Sequence, residues 1–153
     1  MKRRILRFAL LFLFVIVFTG CTSTESMEDE GWKESSLFES GSYTMIGEEG
    51  TIGFIYDDDM VSRFYPNKVQ SYMWHFWGSE EEVTGNLLVT AIHETSGEEI
   101  TVLRGRLKEG GSLNGADQSM PSSMSLPKEG MWKLDAFIDE ELFGTIFVRV
   151  HTE

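Results

Sequence analysis

The residues best suited to chemistry in this chain are an aromatic run, two acidic clusters and three histidines. The run is Tyr72-Met73-Trp74-His75-Phe76-Trp77. On a strand, alternate side chains share a face. Tyr72, Trp74 and Phe76 then face one way, and Met73, His75 and Trp77 the other. One set can pack a core. The other, if open, is a flat aromatic surface suited to sugar rings or protein partners. The simpler expectation is a central strand covered on both faces; any binding face would be Met73, His75 and Trp77. Asp57-Asp58-Asp59 and Glu80-Glu81-Glu82 sit in turns. Calcium takes roughly six to eight oxygens, and Asp57 and Asp59 are its candidate ligands. Neither cluster has the alternate spacing and glycine of an EF-hand loop, so solvated turns are expected. His75, His93 and His151 fall on separate strand-like segments without an HxH or HExxH pattern. Zinc needs ligands that converge, so these histidines read as isolated and no metal or cofactor is expected. No G-x-S-x-G elbow occurs, and Gly110-Gly111 lacks the lysine of a phosphate-binding loop. Catalysis is not expected.

The single cysteine, Cys21, rules out an internal disulfide and any multi-cysteine metal site. Its setting is distinctive. Lys2, Arg3, Arg4 and Arg7 precede an apolar run from Phe8 to Phe18, and Thr19-Gly20-Cys21 follows. A basic head, a short apolar run and small residues make an export signal. A helix of this run is roughly 16 Å long, about half of what a spanning helix must cross. Phe18-Thr19-Gly20-Cys21 resembles the bacterial lipobox, with Phe18 where leucine is commoner. The resemblance implies cleavage of residues 1–20, thioether lipidation of Cys21 and anchoring by acyl chains. Lipidation also accounts for a lone thiol in an exported protein.

Removing residues 1–20 takes four basic side chains and no acidic one, which leaves nine basic against 25 acidic residues and a net charge of −16. A nucleic-acid partner is excluded on this charge, because phosphate binding needs a basic surface. Residues 21–42 are rich in Ser, Thr, Glu and Gly and read as the lipidated cysteine and a flexible tether.

Residues 43–153 read as one domain of short strands with turn punctuation. Thr51–Tyr56, Val69–Trp77, Gly85–His93 and Glu99–Leu103 are strand-like, and the last two flank a hairpin loop containing Gly97. Asn114-Gly115 is a strong turn signal. Trp132, Leu134, Ala136 and Ile138 alternate with Lys133, Asp135 and Phe137, Asp139-Glu140-Glu141 turns the chain, and Ile146, Val148 and Val150 alternate again. No helical stripe lasts three turns. The fold expected is all-β, an antiparallel β-sandwich. The stretch from Leu126-Pro127 through Gly130 and Trp132 to Ile138 resembles the closing hairpin of an immunoglobulin-like domain. That resemblance implies a sheet-switching corner at Pro127–Gly130 and an inward Trp132.

A wider resemblance rests on Tyr72–Gly78, Asn114-Gly115-Ala116-Asp117, Pro121–Pro127 and Leu142-Phe143-Gly144. Together they resemble uncharacterised lipoproteins of Bacillus and relatives that carry the domain of unknown function DUF4871. This implies a Gram-positive, extracytoplasmic, membrane-anchored protein and brings no site with it. The function expected is a non-catalytic binding or adaptor module at the cell envelope, its partner a protein or a wall polymer. The alternative is an inhibitor or immunity lipoprotein that intercepts a secreted enzyme or toxin, since strong acidity steers basic targets.

Overall fold

The computed structural model describes residues 32–152. The signal segment, Cys21 and the first part of the tether lie outside the described residues. Nine strands form two antiparallel sheets: β1 Ser36–Ser40, β2 Tyr43–Glu48, β3 Ile52–Ile55, β4 Gln70–Phe76, β5 Gly85–His93, β6 Glu99–Leu107, β7 Gln118–Met124, β8 Gly130–Ile138 and β9 Glu141–Val150. One sheet has the order β1-β2-β3-β4-β7, the other β6-β5-β8-β9. From β3 onward the topology is that of an immunoglobulin-like Greek key. β3, β4 and β7 make one sheet, and β5, β8 and β9 the other. β6 pairs with β5 instead of extending the β7 edge.

Alternation builds the core. Leu87, Val89 and Ala91 of β5, Trp132, Leu134, Ala136 and Ile138 of β8, and Ile146, Val148 and Val150 of β9 are buried. Phe54, Tyr72, Trp74 and Phe76 meet them from the opposite sheet. Trp74 Nε1 donates to Ser122 Oγ at 3.1 Å, and that hydroxyl donates to the Tyr72 carbonyl at 3.2 Å. The indole is therefore buried without an unpaired donor. The chain changes sheets between β7 and β8, where Leu126 is buried and Pro127 lies in the connection.

The expected tether is shorter than its composition suggested. Residues 32–42 belong to the domain. β1 pairs with β2 from Ser36↔Gly47 to Ser40↔Tyr43. Trp32 packs edge-on against Phe147 at 5.7 Å, and Ser35 N donates to the Phe147 carbonyl at 2.9 Å. An edge strand with one apolar anchor, Phe38, has the composition of a linker. Only its pairing reveals it.

The sandwich has two ends. At one, Trp77 N donates to Thr51 O at 2.9 Å and Asp139 N to Asn86 O at 3.0 Å, which ties the β2–β3, β4–β5 and β8–β9 connections together. At the other, His151 N donates to Phe64 O and Asn67 N to Leu126 O. The chain enters at this second end: Arg149 N donates to Glu34 Oε1 at 3.3 Å.

Candidate functional site

The end away from chain entry carries a cleft of about 650 Å³ between the β4–β5 and β8–β9 connections. Its floor includes Trp77 and Phe143, and its rim carries Glu81, Glu82, Asp139 and Glu141. Local chemistry fixes these positions. Asp139 and Glu140 both have positive φ, 46° and 71°, and make the two-residue turn that joins β8 to β9. Asp139 Oδ1 accepts from Asn86 N at 2.8 Å and from Asn86 Nδ2 at 3.0 Å. Gly85 lies beneath that carboxylate, and a Cβ there would overlap Oδ2. Glu82 folds back on its own turn and accepts from the Ser79 amide and hydroxyl, each at 2.8 Å. Those two donors hold its carboxyl below the usual glutamate range. Trp77 is held by its indole N–H, which donates to Gly115 O at 2.9 Å, and Phe143 by an edge contact with Phe76 at 5.8 Å.

No lysine or arginine lines the cleft. Four carboxylates over two aromatic rings favour a cation, both by charge and through the ring faces. Thr84 also lines it, and its buried hydroxyl oxygen has no hydrogen-bond partner.

Of the three aromatic-strand residues proposed as a binding face, only Trp77 reaches this cleft. The face itself is not open. His75 is completely buried. Its Nδ1–H donates to Met73 O at 3.0 Å, and Asn114 Nδ2 donates to Nε2 at 3.0 Å. Burial lowers its pKa. The Asn114–Gly115 turn, both residues at positive φ, lies over the ring, and Ser40 Oγ donates to Asn114 O at 2.8 Å. Phe38 packs edge-on against Trp77 at 5.8 Å. Met73 sits apart, half-buried in a shallow surface hollow beside Pro121. The lid is a loop distant in sequence, so the aromatic pattern alone could not show it.

Asp57 and Asp59 do not converge on an open site. Asp57 Oδ1 accepts from Ser62 Oγ at 2.7 Å, and Asp59 Oδ1 from the amides of Val61 and Ser62 at 2.7 and 2.9 Å. Asp58 pairs with Arg63 at 2.9 Å. These carboxylates close the turn on themselves. His93 is spent on Ser96 and the Glu129 carbonyl. Among the described residues no group of three or more His, Cys, Asp or Glu could hold a metal ion. The cleft rests on residues that sequence reading placed only in turns. The signal available was the acidic runs at Glu80–Glu82 and Asp139–Glu141.

Among solved structures, that of a "putative lipoprotein from Bacillus anthracis" is similar, with a TM-score of 0.60, 18% identity, and coverage of 78% of this chain and 86% of that one. It supports the fold. No curated protein matches. A family model, that of the domain of unknown function DUF4871, matches residues 22–148. With most of its length matched, the chain belongs to the DUF4871 family.

Proposed function

We propose that this chain is a lipid-anchored, extracytoplasmic binding module that takes a basic segment of a partner protein into its acidic end cleft. The observation that carries this reading is the cleft itself: Glu81, Glu82, Asp139 and Glu141 around Trp77 and Phe143, with no basic residue among them. The lining offers charge and aromatic surface, which suits capture more than bond-breaking. Anchoring rests on the lipobox-like Phe18–Cys21 and the basic and apolar residues before it. The similar Bacillus anthracis structure is itself described as that of a putative lipoprotein. A wall-sugar partner on Met73, His75 and Trp77 loses its support, because the ring of His75 is covered.

The test is titration of the chain with a lysine-rich peptide at low and physiological salt. Wild type is expected to bind and to weaken with salt, and Glu81→Lys with Glu141→Lys to lose binding at least tenfold, the equivalent of about 1.4 kcal/mol. Unchanged affinity in the double reversal refutes the cleft.

The inhibitor reading is favoured by one feature, the concentration of negative charge at this end. If it holds, association with the target slows steeply as salt rises while dissociation barely changes.

A further inference from the structure

We infer that the opposite end of the sandwich is a membrane-docking surface, which seats the β3–β4 connection in the bilayer that holds the anchor. This rests on the lipid-anchor reading of Cys21. The three most exposed large apolar side chains among the described residues are Met60, Val61 and Val69, at 75%, 79% and 67% exposure. All three belong to the single connection between β3 and β4. Gln70 Nε2 donates to Arg63 O at 2.6 Å and Tyr72 OH to Ser62 O at 2.8 Å, which lays the two arms of the connection side by side. Asp57, Asp58 and Asp59 spend their carboxylates on Ser62, Val61 and Arg63. The apolar pair Met60-Val61 is left as the outward tip.

The point of chain entry is beside this loop. Trp32, Lys33 and Glu34 line one groove with Tyr56, Asp58 and Arg149. From Cys21 to Trp32 is a span of eleven residues. Even fully extended it reaches no more than roughly 38 Å, and it joins the domain at the Trp32 end. That end is therefore the one held directly to the anchor. Charge sets the same orientation. The far end gathers Glu48, Glu49, Glu80–Glu82 and Asp139–Glu141 with only Arg106 and Lys108 nearby, whereas at the entry end Glu34, Asp57–Asp59, Glu94, Glu98 and Glu129 are largely offset by Lys33, Arg63, Lys68, Lys128 and Arg149. An anionic leaflet repels the first end more than the second. Exposed apolar loop residues gain free energy by entering the headgroup boundary.

The experiment uses the full chain in its own membranes. Met60→Cys and, as the far-end control, Glu140→Cys each add one free thiol to a chain whose only cysteine is consumed by the anchor. Each is labelled with an environment-sensitive dye. The label at 60 is expected to be blue-shifted and quenched several-fold more by nitroxide lipids than the label at 140. Equal, water-like spectra at both positions in sedimented membranes overturn the docking and leave the anchor standing. A blue-shifted label at 60 that nitroxide lipids do not reach marks a protein contact and also overturns it. Recovery of the chain in the soluble fraction overturns the anchor and this inference together.

Discussion

Burial favours the neutral form of His75, and its two ring nitrogens face contacts of opposite polarity. Nδ1–H meets a carbonyl and Nε2 meets the Asn114 amide. Protonation would set two donors against each other at a buried position. Its folded pKa lies below the ordinary value of 6.5, chiefly through burial. The stabilisation is therefore complete above pH of about 6.5, the unfolded value, and declines as the pH falls below it. Thermal unfolding followed from pH 7.5 to 5 is expected to show a falling midpoint, and His75→Gln to flatten that slope whatever its stability at neutral pH. Asp57 and Asp58, whose carboxyls are lowered by hydrogen bonds to Ser62 and Arg63, act in a separate and more acidic window below 3.8. Gly85 is a second decisive residue. At φ 146° and with Asp139 overhead, Gly85→Ala is expected to cost about 1–3 kcal/mol in chemical denaturation. Part of that loss should disappear in an Asp139→Gly background, where only the backbone strain remains.

At the scale of elements, the β1–β2 hairpin is what turns an ordinary seven-strand Greek key into this sandwich. It supplies Phe38 over Trp77 and Gly53, and Ser40 against the Asn114 turn. A chain starting at residue 32 should unfold at the same midpoint as the mature chain. One starting at 43 should be destabilised by several kcal/mol or fail to fold, since it loses a five-residue strand and the Ser40 contact that holds the lid over His75. Equal stability of the two would show the hairpin to be an ornament. The strands with strict alternation, β5, β8 and β9, were legible from sequence to within a few residues. β1 and β2 were not, because Ser36–Ser40 is an edge strand with only Leu37 and Phe38 apolar, and in Tyr43–Glu48 the buried Met45 and Ile46 are adjacent and show no alternation. β6 runs to Leu107, beyond the apolar stretch, because Gly105 and Arg104 still pair with Leu87 and Leu88.

The whole molecule is polar in the electrical sense. Both ends carry carboxylates, but those at the end away from chain entry have few basic neighbours, whereas Arg63, Lys68, Lys128 and Arg149 offset those at the entry end. If the chain is anchored at Cys21, that acidic end points away from the bilayer, with the ten residues of β9, roughly 30 Å, between cleft and membrane. Binding of a basic partner there should weaken as ionic strength rises and the screening length falls to about 8 Å at physiological salt. A surface-immobilised chain should show this as a change in association rate.

Composition and periodicity by themselves determined an all-β domain and the inward set Trp132, Leu134, Ala136 and Ile138, and the resemblance to an immunoglobulin-like closing hairpin added the sheet-switching corner at Pro127. Those features depend on neighbours close in sequence, where a period of two and a proline speak directly. Only the tertiary structure decided that the outer aromatic face of β4 is covered. Its cover comes from Asn114 and Phe38, each more than thirty positions away from what it covers. The same holds for the cleft, which exists because three connections distant in the chain meet at one end of the sandwich.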